Sequence, residues 1–306
     1  MRKFLKWTAV AGTLVLGMSG VTQAGVSPNA LENAYWRYEE GSNGASVPPG
    51  TENAVPDSAN ANHLRSFDAG TSPTYTSTVA PSPLRSGLPN TLALSFTANV
   101  GGAGGDDLYT VDKNINNGII ADGGGYTLET AFRLNQVGGA VQTLVVKEGQ
   151  PAGAGTVLPT LALNVRGDTG ELEIEQFDGN GVLQNVRSLN ALSANQWYYA
   201  AVVNDGSNLS LYLDSNDGNG YLLQGTDAVT GGALYQGTAD DWNYFWSVGR
   251  GQASNAPANW VNGIMDETRL SNTALAPSNF LFVPEPGSVL ALAAAGLLAV
   301  GRRRRA

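Results

Sequence analysis

The sequence predicts an all-β protein built as an antiparallel β-sandwich of the jelly-roll kind. Apolar side chains recur at every second position in 126–134 and in 209–213, which is the pattern of a strand with one buried face. Turn-forming clusters of Gly, Asn and Asp separate such segments, at 122–125, 178–181 and 214–220. The body shows no helical pattern beyond one short turn expected at 277–282. Many short strands separated by turns indicate a sandwich or jelly roll.

The remaining strands follow from the same alternation of apolar and polar side chains. In chain order they are predicted at 35–39, 92–97, 141–147, 161–165, 171–177, 196–204, 244–248 and 264–270. The stretch 42–89 is rich in Pro, Ser, Asn and Gly, but we predict that it belongs to the same domain and is not a linker.

Charge and composition exclude several classes of function. Between residues 7 and 301 the chain has 10 Lys+Arg against 26 Asp+Glu, a net charge of −16. Such a surface repels nucleic acid and anionic lipid and attracts cations, so we expect no nucleic-acid partner. The chain has no cysteine, which excludes disulfides, thiolate chemistry and Cys-ligated zinc. Its single histidine, His63, excludes metal sites with several histidines.

The N-terminus has the three parts of a secretory signal peptide. Arg2, Lys3 and Lys6 precede an apolar stretch at 10–18, and small and polar residues follow up to Ala24. We therefore predict a signal peptide at 1–24, and export of the protein.

The C-terminus has the order of a sorting signal. Pro284, Glu285 and Pro286 precede an apolar run at 289–300, and four arginines follow at 302–305. This order resembles the PEP-CTERM signal of Gram-negative bacteria that secrete extracellular polysaccharide, a signal thought to be processed by the membrane protease exosortase. The resemblance implies a sorting segment at 283–306 with a transmembrane stretch. Its sorting residues are Pro284, Glu285, Pro286, Arg302, Arg303 and Arg304.

The sorting signal also predicts partners and a location. The resemblance implies an exosortase-type protease as a partner and a transient stay in the inner membrane. The mature protein is then expected at the cell surface or in the extracellular matrix. A permanent C-terminal anchor is the alternative that the same residues allow.

The body itself resembles the laminin-G-like, concanavalin A-like jelly rolls. The motifs that carry the resemblance occur in the family's order: the aromatic-acidic segment 35–40, the Asp-rich turn 57–63, the Trp-Tyr segment 195–198, the hairpin strand 209–214 and the closing segment 263–269. It implies one jelly-roll domain at 25–282.

Asp266 is the carboxylate in the body that most needs a partner. It shares strand parity with Ile264 and Leu270, so if those side chains face the core, Asp266 does too. A buried carboxylate without a partner is costly. An ion pair with Arg37 or Arg269 would supply one, or the residue could lie too close to the strand end to be buried.

A bound calcium ion would also satisfy Asp266. The resemblance implies this solution, because members of the family often pair the first strand with the last and bind calcium nearby. The predicted ligands are Glu39, Asp57 and Asp266, with Glu40 as the alternative to Glu39. Their oxygen atoms are the hard ligands that Ca²⁺ prefers.

The segment 171–175 carries three glutamates at alternate positions and is the candidate catalytic motif. It is similar to the Glu-x-Asp-x-Glu of laminarinase- and lichenase-type glycosidases, in which case Glu171 would be the nucleophile and Glu175 the acid/base. The middle residue is Glu173 and not Asp, and the alternation with Leu172 and Ile174 is that of any half-buried strand. We therefore predict that the protein is not an enzyme.

Aromatic residues concentrate in the segment 239–260. Trp242 follows Asp240 and Asp241 in a predicted loop, and an exposed indole beside carboxylates is a reasonable platform for a sugar ring. We predict Asp240, Asp241 and Trp242 as ligand-binding residues.

Taken together, the sequence predicts an exported, surface-sorted, non-catalytic protein that binds extracellular polysaccharide or acts in the extracellular matrix. A glycoside hydrolase that uses Glu171 and Glu175 is one alternative, and a purely structural surface protein is another.

Overall fold

The computed structural model describes residues 32–66, 72–98, 104–110, 125–148, 159–232, 234, 245–253 and 256–283. These residues form seventeen β-strands and one short 3-10 helix, Pro277–Asn279. In chain order the strands are β1 Glu32–Trp36, β2 Leu64–Arg65, β3 Thr74–Thr76, β4 Ala93–Phe96, β5 Leu108–Thr110, β6 Tyr126–Leu134, β7 Gln142–Lys147, β8 Leu161–Val165, β9 Glu171–Phe177, β10 Leu183–Ala191, β11 Trp197–Asn204, β12 Asn208–Asp214, β13 Leu222–Ala228, β14 Trp246–Val248, β15 Gly251–Ala253, β16 Ala256–Ala258 and β17 Gly263–Ser271.

Two large antiparallel sheets face each other. The eight-stranded sheet has the order β13-β12-β11-β6-β17-β4-β3, and β1 pairs with β17 beside that path. The seven-stranded sheet has the order β10-β9-β8-β7-β14-β5-β2, and β15 and β16 form a separate hairpin. The all-β sandwich predicted from the sequence is confirmed.

The core fills the space between the sheets. Alternate side chains of each strand point inward, so that Leu128 and Val202 of the eight-stranded sheet belong to the same buried cluster as Leu163 and Ile174 of the seven-stranded sheet. The segment 42–66 adds Val47, Val55 and Leu64 to this cluster.

The first strand ends earlier than the sequence predicts. It spans Glu32–Trp36, and not 35–39, because Tyr38 takes a left-handed backbone conformation with φ of 62°. That turn leaves the Tyr38 side chain fully buried, where its hydroxyl donates to Thr268 Oγ1 at 2.8 Å.

A β-bulge in β17 separates Asp266 from the core. Asp266 pairs with Ala131, whereas Thr268 pairs with Thr130, and the extra residue, Glu267, has φ of 48°. The bulge shifts the alternation, so Leu270 faces the core while Asp266 lies on the outer face of the sheet. The equal parity that the sequence predicts for Asp266 and Leu270 is therefore wrong.

Asp266 is nevertheless fully buried, because two segments cover the outer face of the eight-stranded sheet. Residues 77–92 and 275–283 supply the apolar part of this cover, with Ala80, Leu84, Leu281 and Phe282 packed on the sheet.

The predicted signal peptide, 1–24, and the sorting residues from Pro284 onward lie outside the described residues. Within the described ranges, no helix is long and apolar enough to span a membrane.

Candidate functional site

A cavity of about 290 Å³ lies on the outer face of the seven-stranded sheet, toward its β2 end. Its described lining residues are Arg65, Tyr109, Glu148, Phe245, Arg250, Gln252, Ala256 and Pro257. Ligand sites for small molecules in proteins have volumes of roughly 300–1,000 Å³, so this cavity lies at the lower limit and suits a small ligand or one unit of a longer one.

The alternation of β2 and β5 aims two of these side chains into the cavity. Leu64 and Leu108 are core residues, so the next residue of each strand, Arg65 and Tyr109, points to the opposite face. Arg65 pairs with Tyr109, and Tyr109 pairs with Ser247 of β14.

The hairpin of β15 and β16 forms another wall. Gln252 pairs with Pro257 across this hairpin. The hairpin lies close against β7, because a Cβ at Gly251 would come within 2.3 Å of the Thr143 hydroxyl. Glycine at this position therefore lets the hairpin approach the sheet.

Two aromatic rings and one guanidinium form a corner of the cavity. The rings of Tyr109 and Phe245 meet edge to face, with centroids 5.2 Å apart at an interplanar angle of 66°. The Arg65 guanidinium carbon lies 4.8 Å from the centroid of the Tyr109 ring, within the range of a cation–π contact.

The second arginine of the cavity is paired with two carboxylates. Arg250 is 4% exposed, and its Nε donates to Asp107 Oδ2 at 2.5 Å while its Nη1 lies 2.7 Å from Glu148 Oε1. Glu148 also accepts a hydrogen bond from the Ser247 hydroxyl at 2.8 Å. The positive charge of Arg250 therefore has two carboxylate partners within the protein.

Other polar groups of the cavity have no partner. The Gln252 side chain is 5% exposed, and in the described part of the chain neither its Nε2 nor its Oε1 takes part in a hydrogen bond. The Nε of Arg65 is buried and unpaired in the same way. A buried polar group left unpaired costs about 1–3 kcal/mol, so unpaired groups in a cavity indicate a site for a polar ligand.

The predicted metal ligand Asp57 is used inside its own turn. Its two carboxylate oxygens accept hydrogen bonds from the backbone N–H groups of Tyr35, Ala59 and Asn62, at 2.8, 2.9 and 3.0 Å, and from the Asn62 side chain at 3.1 Å. These donors hold the turn against the first strand and satisfy the carboxylate.

Glu39 is also satisfied by neighbouring backbone. Its carboxylate accepts hydrogen bonds from the N–H groups of Thr91 and Leu92, at 2.6 and 3.1 Å, and from the Thr91 hydroxyl. The alternative ligand, Glu40, accepts from the Tyr75 hydroxyl at 2.9 Å.

Asp266 and its neighbour Glu267 differ from these residues. Asp266 Oδ2 accepts from Ala80 N at 2.7 Å and from Asn90 Nδ2 at 2.8 Å, but its Oδ1 has no partner within the described residues, and neither has Glu267 Oε2. Burial raises the pKa of Asp266 well above its ordinary range, and the Glu267 carboxylate raises it further. Burial also raises the pKa of Glu267, to about 7, against the opposing effect of Arg37, whose Nη2 lies 3.1 Å from Glu267 Oε1.

The three predicted metal ligands thus have separate partners. Among the residues that the structure describes, no group of three or more His, Asp or Glu side chains is arranged to hold a metal ion. The two arginines considered as ion-pair partners of Asp266 pair with other carboxylates. Arg37 binds Glu267, and Arg269 binds Glu129, with 2.5 Å between Arg269 Nη2 and Glu129 Oε2.

The glutamate row of β9 lies on the same outer face as the cavity. Its middle member, Glu173, is 2% exposed and accepts hydrogen bonds from Asn185, Arg187 and Arg166, at 2.7, 2.6 and 3.0 Å. Burial disfavours its charged form, but these hydrogen bonds outweigh burial and lower its pKa.

The two outer glutamates have weaker partners. Glu175 makes only 3.5 Å contacts with Asn164 and Asn185, and its pKa is raised, first by burial and then by Glu173. Glu171 accepts from the Thr169 hydroxyl at 2.9 Å.

The predicted ligand-binding residues Asp240, Asp241 and Trp242 lie outside the described residues. The aromatic-rich segment 239–260 that contains them supplies five of the eight lining residues of the cavity, Phe245 to Pro257. Sequence reasoning did not identify Arg65, Tyr109 or Gln252. The concentration of aromatic residues was the signal that indicated this part of the chain.

Two family models match the chain. The model Laminin_G_3, described as "Concanavalin A-like lectin/glucanases superfamily", matches residues 103–279. The model described as "PEP-CTERM protein-sorting motif" matches residues 282–305. Both resemblances predicted from the sequence are confirmed. No curated protein sequence matches the chain.

The chain is similar to several solved structures, and the first of them shares its fold. Domain 4 of AbnA, a GH43 extracellular arabinanase from Geobacillus stearothermophilus solved with arabinotriose, has 14% identity, a TM-score of 0.51 and coverage of 82% of this chain and 96% of that one. The binding domain of botulinum neurotoxin DC, solved with SialylT, has 9% identity, a TM-score of 0.47 and coverage of 82% and 50%, so this chain spans half of its length. The CBM40 of the Ruminococcus gnavus IT-sialidase has 13% identity, a TM-score of 0.39 and coverage of 50% and 79%.

Proposed function

We propose, from the premise that this chain belongs to the concanavalin A-like lectin/glucanases superfamily, that it is an exported, surface-sorted, non-catalytic protein that binds extracellular polysaccharide. The binding site in this proposal is the cavity beside Tyr109 and Phe245.

One observation carries the proposal: the unpaired amide of Gln252 in a cavity with an aromatic corner. Sugar rings present an apolar face and a ring of hydroxyl groups, so a site for them combines aromatic side chains with groups that both donate and accept hydrogen bonds. The Gln252 amide can do both, and because both of its polar atoms are buried, its side chain has to turn toward a ligand hydroxyl, which its soft terminal torsion allows.

The sorting motif supports the location. A PEP-CTERM tail, matched at 282–305, is consistent with transient anchoring in the inner membrane and processing by an exosortase-type protease. Mass spectrometry of surface or secreted material should then find no peptide with the arginines 302–305. An intact arginine tail in the mature protein would favour a permanent anchor.

The competing functions are less well supported. A hydrolase of the Glu-x-Asp-x-Glu type would have an assisting Asp between Glu171 and Glu175, whereas this chain has Glu173, which is held by Arg166 and Arg187. A purely structural surface protein would have no use for buried polar groups that lack a partner, because an apolar residue at the position of Gln252 would be more stable.

A glycan-array screen of the exported protein tests the proposal. We expect binding that is lost in Phe245→Ala, which removes one ring of the corner. The matched control is Leu222→Ala, which removes an apolar side chain that is 51% exposed on β13 of the other sheet. Absence of binding to any glycan, or equal binding by wild type and Phe245→Ala, contradicts the proposal.

A further inference from the structure

We propose that the cavity binds a carboxylated sugar, a uronic-acid residue, with Arg65 as the residue that recognises the carboxylate. This inference rests on the proposed carbohydrate-binding function and names the class of sugar.

The first argument is the difference between the two arginines of the cavity. Arg250 is bound on two sides, by Asp107 and Glu148. Arg65 forms neither an ion pair nor a hydrogen bond through its guanidinium with any described residue, and its recorded contact is with the Tyr109 ring. An arginine that lines a cavity and has no carboxylate partner among the described residues is suited to an anionic ligand.

The second argument is geometry. The contact with Tyr109, 4.8 Å from guanidinium carbon to ring centroid, restrains the guanidinium. A restrained planar guanidinium offers two parallel N–H donors, which match the two oxygens of a carboxylate. A hydroxyl or an amide carbonyl offers a single uncharged oxygen and so forms a weaker contact with this pair of donors.

The third argument is the chemistry of the other unpaired group. Gln252 contributes a neutral donor and a neutral acceptor to the same cavity, and these suit ring hydroxyls and not a second charge. The expected ligand unit therefore carries one carboxylate together with hydroxyl groups, and a uronic acid is the simplest sugar with this combination.

The net charge of residues 7–301 further restricts the kind of polysaccharide that the cavity can bind. With a net charge of −16 between residues 7 and 301, the protein repels densely charged polyanions. A polysaccharide with few charges is not repelled in this way, so a single uronic-acid residue in it can bind to Arg65. Binding of such a ligand must therefore depend on this local contact.

Calorimetry with oligosaccharide pairs tests the inference. The probes are aldobiouronic and aldotriouronic acid, which carry one uronic-acid unit among neutral sugars, each beside its methyl ester, which keeps the sugar and removes the charge. We expect at least one acid to bind at least about tenfold more tightly than its ester, and this preference to vanish in Arg65→Gln. Arg65→Lys keeps the charge but cannot form two parallel hydrogen bonds, so it should lose at least about tenfold in affinity for the acid.

Arg133→Gln is the matched control, because it removes a guanidinium from the other sheet, where Arg133 Nε donates to Asn195 O at 3.1 Å. It should leave both affinities unchanged. Equal affinity for acid and ester, an unchanged preference in Arg65→Gln, or binding of neutral glycans alone would overturn the uronic-acid assignment and leave carbohydrate binding standing. Failure of every glycan to bind would overturn the proposed function itself.

Discussion

Asp266 and Leu270 lie on opposite faces of β17, although four positions separate them and a regular strand would place them together. The cause is the bulge at Glu267, which adds one residue opposite β6. Because of the bulge, the Asp266 carboxylate points away from the core and toward residues 77–92, which cover the outer face of the sheet. There its Oδ1 and the Oε2 of Glu267 remain unpaired among the described residues.

Calcium remains a prediction for this position, with Asp266 as the ligand. A ligand that binds only the folded state at a hundred times its dissociation constant stabilises that state by about 2.7 kcal/mol. Removing calcium with a chelator should therefore lower the melting temperature by several degrees, and Asp266→Asn should abolish the effect.

The control separates Asp266 from the other predicted ligands. Glu39→Gln should keep the chelator effect, because hydrogen bonds from Thr91 and Leu92 already occupy that carboxylate. A melting curve that chelator leaves unchanged would contradict bound calcium and leave protonation as the means by which Asp266 avoids a buried charge.

Gln252→Leu should make the protein more stable and less able to bind. Leucine has nearly the same volume and removes two buried polar groups without partners, so the free energy of unfolding should rise by about 1–2 kcal/mol. The same change removes the donor and acceptor that the proposed ligand uses, so glycan affinity should fall.

Urea unfolding and calorimetry measure these two effects. Gln136→Leu, at an exposed glutamine whose side chain bonds only to Gly138 O of its own loop, is the control and should change stability by less than about 0.5 kcal/mol. A destabilised Gln252→Leu variant would indicate that the amide has a structural partner and would remove the main support for the site.

Lys147 should give the protein a distinctive pH dependence. Burial lowers its pKa to about 7, and the nearby Glu148 carboxylate offsets part of the effect. Because an unfolded lysine titrates near 10.4, as is usual for this side chain, the unfolded state binds more protons than the folded state between about pH 7 and pH 10. The contribution of Lys147 to stability therefore rises with pH across this window, by up to about 1 kcal/mol per pH unit.

Unfolding free energies of wild type and Lys147→Met at pH 7, 8 and 9 test this prediction. Methionine should be the more stable residue at pH 7, and the difference should shrink as pH rises. Other titrating groups are common to both proteins and cancel. Two pH profiles that run parallel would show that Lys147 keeps its proton in the folded state.

The sequence predicts strands best where alternation is regular. The bounds of β8 and β9 agree with the prediction because their inward residues, such as Leu163 and Ile174, alternate with outward residues without interruption. The strands β10 and β13 are not predicted, because leucines face outward in both, with Leu189 70% exposed and Leu222 51% exposed. An apolar residue on the outer face interrupts the alternation of apolar and polar residues from which strands are predicted.

The candidate site is less predictable than the fold. Its described lining comes from positions 65, 109 and 148 and from the segment 245–257, and only the pairing of β2, β5 and β14 brings these together. The unpaired state of Gln252 is a property of the packed structure and leaves no trace in the sequence. The bulge is equally hidden, because Asp-Glu-Thr does not indicate a positive φ at its middle residue.

The protein should be inert toward β-glucans, and this prediction separates the proposed binding protein from the hydrolase. A retaining glycosidase places its two working carboxyl groups about 5–5.5 Å apart across a sugar, one as nucleophile and the other as acid. Here the residue between Glu171 and Glu175 is Glu173 and not the assisting Asp of such enzymes, and it is held in ion pairs by Arg166 and Arg187. We expect no release of reducing sugar from laminarin, lichenan or agarose at long incubation. Turnover that disappears in both Glu171→Gln and Glu175→Gln, while Phe245→Ala remains active, would establish the hydrolase and place its site on β9.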